Sequence, residues 1–84
     1  MPKITVFTMN FCPFCTRAKA LLQKEGLPFT EVLVATDDEK LWAELEKKTG
    51  MKTMPQIFVG DHVVGGYTEL VAAQKSGELK KLTT

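Results

Sequence analysis

Two β-rich segments separated by one helix-length run leave this chain few ways to fold. Residues 3–9 are dense in β-branched and apolar side chains (Ile4, Thr5, Val6, Phe7, Thr8) with apolar groups on both alternating faces, which predicts a strand covered on both sides. From Pro13, apolar positions at Cys15, Ala18, Leu21 and Leu22 recur at helical spacing, while Arg17, Lys19, Gln23 and Lys24 fall between them. Gly26 closes that helix, Pro28 keeps it from resuming, and residues 29–34 read as a second strand. A strand, a helical crossover of this length and a second strand commit the two strands to lie parallel, with a right-handed connection.

The remainder completes a sheet rather than starting a new one. Thr36-Asp37-Asp38-Glu39 is a helix start, a Thr or Asp cap with acids in the first turn, and Leu41, Trp42 and Leu45 supply a buried stripe that Gly50 ends. Trp42 reads as helix packing, not as a ligand platform. After a loop at 51–55, two short strands at 56–59 and 63–64 flank Gly60-Asp61, a hairpin turn. Gly65-Gly66 marks a place where side chains would obstruct a close backbone approach. Thr68-Glu69 opens a final helix through Leu70, Val71 and Ala72, and Ser76-Gly77 breaks it before a short tail. The order βαβαββα joins a parallel unit to an antiparallel hairpin, so the expected class is α/β, one mixed sheet with helices on both faces. With 84 residues, 44% hydrophobic and 25% charged, residues 1–84 are expected to form one ordinary globular domain.

Chemistry points to the junction of the first strand and first helix, where Cys12-Pro13-Phe14-Cys15 places two thiols one helical turn apart. A cysteine at a helix start sits among N–H groups without carbonyl partners, and these favour the reactive thiolate, so Cys12 is the candidate nucleophile. Pro13 is pre-set for the first helical position, and Cys15 falls on the same side of the helix, within reach of a mixed disulfide at Cys12. Structural zinc takes four ligands, and two cysteines with the distant His62 fall short of that, so no metal is expected. A structural bridge is a poor account as well, because so short a loop constrains the unfolded chain little. The net charge of +1 without a basic cluster gives no support to a nucleic-acid partner. No membrane span is expected either, and Met1-Pro2-Lys3-Ile4 lacks the apolar run of a signal peptide. Paired cysteines in an untargeted chain suit a reducing compartment, so a cytoplasmic monomer is expected.

With Cys12-Pro13-Phe14-Cys15, Thr53-Met54-Pro55 and Gly65-Gly66 in that order, the chain resembles the dithiol glutaredoxins over nearly its whole length. The resemblance implies a thioredoxin fold with a central four-stranded mixed sheet and a cis bond before Pro55. It also implies glutathione as reducing co-substrate, with disulfide-bearing or glutathionylated proteins as partners, ribonucleotide reductase among them. Cys12 would be the nucleophile and Cys15 the resolving thiol. Phe14 stands where many relatives have tyrosine and would wall the glutathione site. Phe11 either joins that apolar rim or fills the core at the strand end. Met54-Pro55 would pair with the glutathione backbone as an added strand does, with Thr53 supporting the loop. Gly66 and the helix start at Thr68 would offer N–H groups to the γ-glutamyl carboxylate, and Thr68 can equally be a cap. Met9 departs from the family, many members having lysine there. Lys52 would stand in as the cation, Arg17 and Lys19 being exposed helical charges, and glutathione binding is expected to be weaker or differently balanced. Two rival readings remain open. One is a glutaredoxin-like electron donor to ribonucleotide reductase recycled by thioredoxin reductase; the other is a module sharing an iron–sulfur cluster, a geometry that the rigid Pro13 discourages.

Overall fold

In the computed structural model, which describes residues 2–84, Ile4–Thr8 (β1) and Phe29–Leu33 (β2) pair in parallel, Ile4 opposite Phe29 and Thr8 opposite Leu33. Helix Pro13–Lys24 (α1) is their crossover. Helix Glu39–Thr49 (α2) starts at Asp38, whose Oδ1 accepts the Leu41 N–H at 3.2 Å, and ends at Gly50 in left-handed backbone (φ 74°). Strands Gln56–Val59 (β3) and His62–Gly65 (β4) form the hairpin, and β3 also lies antiparallel to β1, so the sheet runs β2-β1-β3-β4. Ile57 faces Gly65 while Phe58 faces Val63; Val64 is thus an extra residue, a bulge that bends β4 toward the next helix, Tyr67–Ser76 (α3).

Alternation along β1 and β3 divides the core between the two faces of the sheet. Ile4, Val6, Ile57 and Val59 face Ala18 and Leu22 of α1 and Leu70 and Ala73 of α3. Phe58, with Phe7 edge-on to it at 5.5 Å, faces Leu45 of α2 together with Val34 and Met54. Each fully buried Leu or Ile on these faces contributes about 1.5–3 kcal/mol of transfer free energy. Of the stripe expected on α2 only Leu45 is fully buried; Leu41 and Trp42 are half-covered at the edge of that layer.

Where a tail was expected, Glu78–Leu82 forms a further short helix, α4. Gly77 (φ 86°) ends α3 and, by reversing the backbone, starts α4. Leu79 and Leu82, three residues apart, turn onto the core and hold it there.

The exposed Glu31 on β2 accepts hydrogen bonds from the Thr8 hydroxyl at 2.7 Å and from Lys19 Nζ at 3.0 Å. The Thr8 hydroxyl first, and Lys19 second, hold its carboxyl below the ordinary 4.5. A carboxylate whose pKa is depressed by folding adds stability above its unfolded pKa and loses it as pH falls through the folded value. Glu31→Gln is therefore expected to be less stable than the native protein at about pH 7, with the difference closing as urea melts are taken down to about pH 3. A difference of the same size at both pH values would contradict this.

Candidate active site

Cys12 is the N-cap of α1: its backbone is extended (φ −114°, ψ 98°), Pro13 occupies the first helical turn, and no acidic residue stands in that turn. Cys12 and Cys15 are joined in a disulfide, their Cα atoms 5.2 Å apart. Cys12 Sγ accepts the Cys15 N–H at 3.2 Å and lies 3.7 Å from the Met54 carbonyl oxygen. The sulfurs are inequivalent. Cys12 is half-buried and lines the surface, whereas Cys15 is 2% exposed and packs beneath it with Leu45 and Phe58. Arg17 lies 5.3 Å from the Phe14 ring centroid, while Lys19 is engaged by Glu31.

A cleft of about 480 Å³ opens at Cys12, lined by Phe14, Met54 and Pro55 among others. Lys52, Thr53, Gly66 and Thr68, the remaining expected ligand residues, also line it. The Met54-Pro55 bond is cis. Lys52 stands at the rim, 78% exposed and only 3.9 Å from Glu46 Oε2. Met9, where the resemblance anticipates lysine, contributes an apolar wall backed by the core.

The loop carrying Thr53 and Met54 is fixed from below by a residue the sequence reading passed over. Gln56 is wholly buried; its Nε2 donates to the carbonyls of Met51 at 3.2 Å and Thr53 at 3.1 Å, and its Oε1 accepts from the Thr49 hydroxyl at 3.0 Å. All four residues of β3 are buried, Gln56 among them, and a buried amide needs such partners. An amide opening an otherwise apolar strand was its only signal in the sequence.

Gly65-Gly66 accommodates something other than the expected partner. The Gly66 N–H donates to Glu69 Oε1 at 2.8 Å, and a Cβ on Gly65 (φ 119°) would lie 2.9 Å from Glu69 Cβ and Cγ. The glycines thus admit the Glu69 side chain, Gly66 is the N-cap, and α3 begins at Tyr67, one residue before the expected start. Thr68 is accordingly a first-turn residue with its side chain exposed, not the cap. Helix geometry leaves the N–H groups of Tyr67, Thr68 and Glu69 without intrahelical acceptors, and all three residues line the cleft. Tyr67 stacks at a tilt 5.9 Å from Phe14, and Trp42, read from sequence as packing only, also lines the cleft while its Nε1 donates to Ala35 O at 2.9 Å.

A vicinal cysteine pair capping a helix at the C-terminal end of the first strand of this four-stranded sheet defines a thioredoxin-fold thiol–disulfide oxidoreductase. A sequence-family model described as glutaredoxin matches residues 4–64. A glutaredoxin of Pseudomonas aeruginosa is 43% identical over 98% of this chain and 96% of its own length, and glutaredoxin-1 of Homo sapiens is 35% identical over 92% and 77%. Among solved structures, a buckwheat glutaredoxin–glutathione complex superposes with a TM-score of 0.89 at 25% identity, covering 98% of this chain and 76% of that one. The solution structure of the Brucella melitensis glutaredoxin gives a TM-score of 0.86 at 38% identity, covering 99% and 89%. The chain belongs to the glutaredoxin family.

Proposed function

We propose that this chain reduces protein disulfides and glutathione mixed disulfides with electrons from glutathione, Cys12 acting as nucleophile and Cys15 as resolving thiol. The observation that carries this reading is the inequality of the two sulfurs: one lies on the cleft and accepts a helix N–H, while the other lies beneath it. Once the pair is reduced, the same N–H and helix dipole favour Cys12 as thiolate. The thiolate attacks a substrate disulfide and expels one sulfur as thiolate, which takes up a proton. Cys15 then gives its proton to solvent and attacks Cys12 Sγ, releasing the second substrate thiol and closing the bonded form described above. Two glutathione thiols restore the dithiol: the first opens the bridge to leave a mixed disulfide at Cys12, and the second removes it as glutathione disulfide.

The residues present fit a γ-glutamyl tripeptide. The backbone of Met54 before Pro55 can pair with its cysteinyl residue as an added strand. The free N–H groups at the start of α3, with the Thr68 hydroxyl beside them, suit its γ-glutamyl carboxylate, Gly66 serving as the cap that orients them. Phe14 walls the thiol end, Thr53 the opposite side, and Lys52 is the cation within the cleft for the glycyl carboxylate. The glutathione held by the buckwheat relative supports glutathione as the ligand. The test is reduction of hydroxyethyl disulfide with glutathione and glutathione reductase, against thioredoxin reductase as alternative electron source. Saturable turnover with glutathione is expected; turnover sustained by thioredoxin reductase alone would overturn the reading.

A further inference from the structure

Neither the core nor the exchange chemistry explains Phe11. Its φ of 57° places a bulky side chain in left-handed backbone, where L-residues other than Gly, Asn and Asp are disfavoured. It is also 100% exposed, so no packing offsets the strain, and the alternative of a strand-end core role falls away. Glycine or asparagine would hold the same turn more easily and leave no ring in water. Two independent penalties therefore meet at the residue immediately before Cys12, and strain of this kind clusters where function uses it. Among the described residues the other exposed large hydrophobics are Phe14 at 52% and Leu33 at 56%. Phe14 shares the cleft with Phe11, and Leu33 is level with Thr8 at the same end of the parallel strands.

We propose that Phe11 and Phe14 form an apolar clamp on the polypeptide substrate, selecting disulfides whose cysteine is flanked by an aromatic or large aliphatic residue. The inference rests on the exchange reading of Cys12. The occupant follows from the geometry of attack: a sulfur brought to Cys12 Sγ carries its flanking residues across the rim that Phe11 forms. Glutathione brings only γ-glutamyl and glycyl groups to that rim, neither with an apolar side chain. Phe11 thus acts in the half-reaction with protein and is idle in the half-reaction with glutathione.

Two otherwise identical peptides, each with a single cysteine disulfide-bonded to mercaptoethanol, test this when one carries Phe and the other Ser beside the cysteine. With pre-reduced native protein the Phe peptide is expected to have a specificity constant about fivefold to tenfold higher, the effect of covering roughly half of one ring. Phe11→Asn, which suits left-handed backbone, should bring the ratio within about twofold, and Phe11→Trp should keep it. The urea midpoint of Phe11→Asn should be no lower than that of the native protein. A native ratio near unity, a ratio unchanged in Phe11→Asn, or a lowered midpoint that marks Phe11 as structural would overturn the clamp alone. Reduction of neither peptide by native protein would overturn the exchange reading and the clamp with it.

Discussion

Cys12→Ser is expected to lower both the reduction of protein disulfides and the removal of glutathione from mixed disulfides by at least about a thousandfold. A serine hydroxyl remains protonated at neutral pH, so the N–H groups that favour an anion at this position have no thiolate to hold, and among the described residues no other cysteine lines the cleft. Cys15→Ser should separate the two activities. Removing glutathione from a mixed disulfide needs one protein sulfur and then a second glutathione, so it should persist, whereas the protein substrate should stay trapped on Cys12. Parallel assays on a glutathionylated peptide and a protein disulfide read the split, and a thermal melt of each reduced variant checks the buried replacement at position 15. Equal loss of deglutathionylation in both variants would remove the assignment of roles.

Gln56→Leu is expected to be strongly destabilising although it leaves the apolar core untouched. The substitution nearly conserves volume but strips the Met51 and Thr53 carbonyls of a donor, while the Thr49 hydroxyl keeps the Leu45 carbonyl at 2.8 Å as its acceptor. Orphaned buried polar groups cost about 1–3 kcal/mol each, and partial recovery by water leaves a net loss of about 2–4 kcal/mol. For a domain of this size that lowers Tm by roughly 10–20 °C. Because the lost bonds tether the loop that lines the cleft, the Michaelis constant for glutathione should rise even where the variant remains folded. Gln56→Glu should be worse at neutral pH, since it replaces two donors with a buried negative charge. A Leu variant as stable as the native protein, with an unchanged Michaelis constant, would show that Gln56 does not anchor the loop.

Where the physics is local, the sequence was a good guide. The β-branched run at 4–8, the helical spacing from Pro13 and the glycine after Thr49 each act within a turn or a strand, and the elements fall where those signals put them. What escaped depends on contacts between elements. Ser76-Gly77 looked like an end because a glycine stop is local, while the burial of Leu79 that continues the chain as α4 needs the core already assembled. Thr68 looked like a cap by residue type, yet the bulge at Val64 brings Gly66 into that position and the Glu69 carboxylate onto its N–H. Trp42 carried a packing signal on α2, and only the meeting of α2 with the loop at 51–55 makes it part of the cleft. For Phe11 the sequence left two environments open, and its full exposure decided between them.

The burial of Cys15 beneath Cys12 gives the molecule a single terminal. On the proposed mechanism, electrons would enter and leave through one surface sulfur, so that donor and client would take turns. The direction of that traffic would follow the poise of the surrounding thiol pool set against that of the Cys12–Cys15 pair itself.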